Sequence, residues 1–74
     1  MHNQVKATLA RVLGVRPETI ADDASTSTMP AWDSLKQLRV IMALEERFQT
    51  KFDGDEMDDL TSVAAITTAL ERRR

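Results

Sequence analysis

Cysteine is absent from this sequence, so no disulfide and no thiolate metal site can hold it together. The absence fits a reducing compartment. No segment approaches the roughly 20 apolar residues of a membrane span. The opening residues, MHNQVKATLA, lack the basic start and apolar stretch of a signal peptide. The chain is therefore expected to be soluble and cytoplasmic. A continuous basic face is also missing. Ten bases are scattered against twelve acids, which argues against a nucleic-acid site. Histidine occurs once, as His2 at the terminus, so no serine here has an obvious base beside it. The acidic run DGDEMDD lacks the spaced frame of a calcium loop. The run and the basic end ERRR read as a solvated surface and a frayed tail. Length adds one more exclusion. The 74 residues make one small domain, 1–74, with a thin core and little room for a deep enzymatic pocket. Met1 and the compact ends are read as those of a free-standing protein.

What is present is helical. Val5, Leu9, Val12 and Leu13 form one helical stripe, and Gly14 suits a left-handed stop. A first helix is expected over about residues 3–13. Residues 14–33 show no period and carry Pro17, Pro30 and the run DDASTST. A loop of about 20 residues is uncommon in a small domain and usually serves a function. Val15, Ile20, Met29 and Trp32 are its expected anchors, and RPET suits one short helical turn. The strongest helix is expected over residues 34–49. Leu35, Leu38, Ile41, Met42, Leu44 and Phe48 fall on one broad arc, with Lys36, Arg39, Ala43 and Arg47 opposite. Glu45 falls near the middle of the apolar arc, where it would need water or a cation such as Lys51. A short third helix is expected near residues 55–59, after the turn at Asp53-Gly54. Thr61 or Ser62 can cap a last helix carrying Val63, Ile66 and Leu70. No alternating stretch is long enough for a strand. The expected fold is a small all-α four-helix bundle: three main helices, one short one and a long first loop.

The stretch PAWDSLKQL poses the functional question. Ser34 with Gln37 three residues on matches a capping box, and Asp33 can serve as the cap instead. Without a base or an enclosing pocket, Ser34 is a poor nucleophile within this chain. An exposed hydroxyl at a helix start is better suited as a handle for another enzyme.

Four segments, in order and suitably separated, carry a resemblance. VLGVRPETI resembles the end of helix 1 and the early loop of the acyl carrier protein family, the phosphopantetheine-binding carriers. WDSLKQLRVIMALEERFQTKF resembles that family's serine site, second helix and following turn, and LTSVAAI the start of its last helix. The resemblance implies that Ser34 takes a 4′-phosphopantetheine arm from coenzyme A, added by a separate phosphopantetheinyl transferase with magnesium. It implies that Asp33 helps present the site, and that Leu35 is the family's buried leucine after the serine. It also implies a thioester-bound acyl or aminoacyl cargo, passed from a loading enzyme to a downstream acyltransferase or synthase. The chain itself is then a carrier rather than an enzyme, with no nucleic-acid or membrane partner, and is expected to be a monomer. The prosthetic group would bring the sulfur that the sequence lacks. Leu38, Leu44, Phe52, Met57 and Ile66 are candidates to line an interior space for an apolar cargo, or plain core.

Two departures qualify the likeness. PAW stands where many carriers have a glycine before the serine, and Trp32 reads as an anchor. The second helix holds three bases against two acids, a net of +1, where fatty-acid carriers are commonly acidic. This points to a dedicated carrier of a specialised pathway. Lys36, Arg39, Ala43 and Arg47 are the expected partner-binding face. The rival readings are an unmodified helical adaptor and, more weakly, a helix-turn-helix DNA binder.

Overall fold

A computed structural model describes residues 2–73. Among them the order is α1 (His2–Leu13), a 3₁₀ turn (Pro17–Thr19), α2 (Ser34–Phe48), α3 (Gly54–Asp59) and α4 (Val63–Glu71), with no strand. The expected all-α bundle is the observed one. No helix among the described residues is long and apolar enough to cross a membrane.

Local chemistry sets the ends. Gly14 takes φ 73° after α1, a left-handed geometry that glycine adopts without strain. Pro17 opens the 3₁₀ turn, where its fixed φ suits the first position. Asp53 and Glu56 form a reciprocal capping box at α3, with Glu56 N–H donating to Asp53 Oδ1 at 2.8 Å. Ser62, rather than Thr61, caps α4 by accepting from Ala65 N–H at 3.0 Å. At the end of α2, Gln49 takes a left-handed φ of 51°. There the Glu45 carboxylate accepts from Phe52 N–H at 2.9 Å. The charge that fitted poorly on the apolar arc thus pins the turn after α2, and neither water nor Lys51 is needed to explain it.

α1 packs against α2 and α4. The core joins Val5 and Leu9 of α1, Val40, Ile41 and Leu44 of α2, and Val63, Ile66 and Leu70 of α4. The long loop adds Ile20, Ala24 and Trp32, with Val15 and Met29 packed against them. It is a string of turns rather than free chain. Trp32 N–H closes the Met29-Pro30 turn on the Met29 carbonyl at 2.9 Å. Thr26 N–H donates to the Thr61 carbonyl and Val63 N–H to the Ala24 carbonyl, both at 3.0 Å. These bonds flank a Ser25–Ser62 bridge and stitch the loop to the segment between α3 and α4.

The phase of α2 differs from the expected arc. Leu35, Leu38 and Met42 are 60%, 57% and 60% exposed, whereas Val40 and Gln37 turn inward. The buried face is rotated by roughly a fifth of a turn. Leu35 is therefore not a buried leucine, and Leu38 does not line the interior. Leu44, Phe52 and Ile66 are core, and Met57 packs partly buried against them.

The chain end also differs from expectation. Arg73 donates to the carbonyls of Ala69 at 3.0 Å and Lys51 at 3.2 Å, and pairs with Glu56. Its guanidinium lies 4.6 Å from the centre of the Phe52 ring. A planar cation with several donors can bind carbonyls, a carboxylate and a ring together, so this arginine braces α4 to α3 instead of fraying. Met1 and Arg74 lie outside the described residues.

Candidate functional site

Ser34 is the first residue of α2 and is exposed. Asp33, extended at φ −97° and ψ −173°, is the N-cap. Its Oδ1 accepts from Lys36 N–H at 2.9 Å, and its carbonyl accepts from Gln37 N–H at 2.8 Å. Of the two capping schemes the sequence allows, the structure uses aspartate. Among the described residues no hydrogen bond engages the Ser34 hydroxyl. The N–H groups of Ser34 and Leu35 lie in the first turn, where a helix has no internal acceptor to offer. The hydroxyl therefore stands at the positive end of a 15-residue helix, beside unpaired donors. That donor set suits a phosphate ester on Ser34.

Behind the serine lies a bridge that the sequence did not reveal. Trp32, 2% exposed, donates from Nε1 to Gln37 Oε1 at 2.6 Å. Gln37 Nε2 donates in turn to the Leu60 carbonyl at 2.8 Å and, more weakly, toward that of Met57 at 3.5 Å. The glutamine expected as a capping partner instead ties the residues before Ser34 to the end of α3. An inward-facing amide on α2 was the available signal, but the local capping pattern masked it. Trp32 is the anchor it was expected to be.

A cleft of about 420 Å³ opens next to Ser34, lined by Thr26, Trp32, Asp33, Ser34, Gln37 and Thr61. The expected partner-binding residues lie along α2 and are unequally exposed. Arg39 and Arg47 are exposed, whereas Lys36 and Ala43 are half-buried. Arg47 also folds over its neighbour, 5.6 Å from the Phe48 ring centre. The outward face of α2 instead presents Leu35, Leu38 and Met42, with Arg39 and Glu46 beside them. The sequence pattern places those three apolar residues on the arc expected to face inward.

A family model described as the phosphopantetheine attachment site matches residues 3–70. With the match spanning nearly the whole described chain, on a fold that exposes an uncommitted serine at a helix start, this protein belongs to the phosphopantetheine-attachment family, whose prosthetic group is covalently bound 4′-phosphopantetheine.

Proposed function

We propose that Ser34 is the attachment residue and that the chain carries an acyl or aminoacyl group between enzymes of a specialised biosynthetic pathway. One observation carries the residue assignment: Asp33 does the capping, which leaves the Ser34 hydroxyl exposed and unbonded. The prosthetic group supplies a terminal thiol, and hence thioester chemistry, to a chain without cysteine. The protein's own part is presentation. Asp33 fixes the start of α2, and the Ser34 and Leu35 N–H groups face the place of the ester phosphate. The Trp32–Gln37–Leu60 bridge holds the serine's surroundings still.

The partners in this reading are a phosphopantetheinyl transferase, a loading enzyme and a downstream acyltransferase or synthase. Each must approach the start of α2 and meet its outward face. That face offers Leu35, Leu38 and Met42 beside Arg39, on a helix of net charge +1. It suits a partner with an apolar recess and acidic rather than basic surroundings. Lys36 and Arg47 add to the positive field, and Ala43 contributes a small half-buried surface.

Incubation with coenzyme A, magnesium and a broad-specificity transferase tests the assignment. Mass spectrometry is expected to show one phosphopantetheinyl group on Ser34 and none on the Ser34→Ala variant. An alanine variant that still gains the group overturns the residue. No gain under conditions that modify a control carrier favours the unmodified adaptor.

A further inference from the structure

We infer that the cleft beside Ser34 is a docking seat for the attached arm, in which the Thr26 and Thr61 hydroxyls bond the arm's amide groups. The inference rests on Ser34 being the attachment residue. Its first support is continuity: Ser34 is itself part of the cleft wall. An arm fixed there starts at the cleft itself. The cleft volume, about 420 Å³, lies within the range of small-molecule sites, about 300–1,000 Å³.

The second support is the division of labour among nearby hydroxyls. Ser25, Thr28 and Ser62 all use their side-chain oxygens to hold backbone groups. Thr26 and Thr61 are joined through their backbones, Thr26 N–H to Thr61 carbonyl at 3.0 Å. Among the described residues neither hydroxyl makes a hydrogen bond. Two threonines whose hydroxyls have no partner among the described residues thus line a cleft that begins at Ser34.

The third support is the closed floor. Trp32 Nε1 is satisfied by Gln37, and Gln37 by the Leu60 carbonyl. Breaking this bridge would leave buried polar groups unpaired. The arm is therefore directed across the surface toward Thr61 rather than down between α2 and α3. The chemistry of the arm matches the walls. Its amides both donate and accept, as hydroxyls do.

The experiment uses the full chain carrying an isotope-labelled arm, with loading at Ser34 verified by mass. Nuclear Overhauser contacts are expected from the arm to the Thr26 and Thr61 methyls. Replacing both threonines, Thr26→Val and Thr61→Val, is expected to lower the docked population by about two- to tenfold per hydrogen bond lost, with loading intact. A loaded protein without these contacts, or with contacts to Leu35 and Leu38 instead, overturns the inference alone. Failure to load at Ser34 overturns both the inference and the assignment beneath it.

Discussion

Asp33 accepts the Lys36 N–H, so Ser34 does not have to. Of two adjacent side chains at one helix start, one is thereby committed to the cap and the other is left without a bond among the described residues. The difference has a measurable consequence. Asp33→Ala is expected to cost about 0.5–2 kcal/mol, the usual loss for a helix cap. Ser34→Ala is expected to stay within about 0.5 kcal/mol, because alanine is a good helix former and no bond is lost. Urea unfolding of the two variants checks this; equal losses would mean that the serine also caps. Gln37 teaches a related lesson. Four residues after the cap it could have served local bonding, yet its amide reaches Leu60 across the fold. Its immediate neighbours point to capping instead, and only its place on the inward side of α2 signals the longer reach.

The helices themselves were legible, and the phase of α2 was not. Six apolar residues spread over a wide arc leave the choice of inward face nearly balanced. Packing against α1 settles it in favour of Val40, Ile41 and Leu44. Leu44→Ala is therefore expected to cost about 2–5 kcal/mol, as large-to-small core changes do. Leu38→Ala is expected to change stability by no more than about 0.5 kcal/mol. Thermal and denaturant unfolding of the pair reports the rotation of the helix directly, and a large loss in both would refute it. The bases beside that outward face carry the charge argument. Changing Lys36 and Arg39 together to glutamate is expected to slow loading by the cognate enzyme, more at low salt than at high. Unchanged loading rates at both salt concentrations would refute charge-guided recognition.

At the scale of the whole molecule, side-chain clasps hold segments far apart in sequence. Lys6 pairs with Asp22 across α1 and the loop, and Arg73 pairs with Glu56 across α4 and α3. The Arg73 hydrogen bond, helped by the Asp53 N–H, holds the Glu56 carboxyl below its ordinary range. The Lys6 bond does the same for Asp22. A carboxylate with a lowered folded-state pKa stabilises above its unfolded value, and that contribution is lost as the pH falls through the folded value. Wild type is thus expected to exceed Glu56→Gln in stability near neutrality. The gap should close on acidification through and below the ordinary glutamate range, and narrow in high salt. Denaturant midpoints measured across that pH series decide; a gap that persists in strong acid would assign the effect to packing instead.

The sequence by itself determined the helix count, nearly every helix boundary, and the serine standing at the start of α2. Caps, glycine and proline act within one turn, so their effects can be read from neighbouring letters. The tertiary structure alone decided which face of α2 is buried, where Gln37 and Glu45 bond, and that Arg73 is a brace. Gln37 lies 23 residues from Leu60, and Arg73 lies 17 from Glu56. Such pairings depend on how the helices come together, and their energy is realised only after packing has brought the partners within reach.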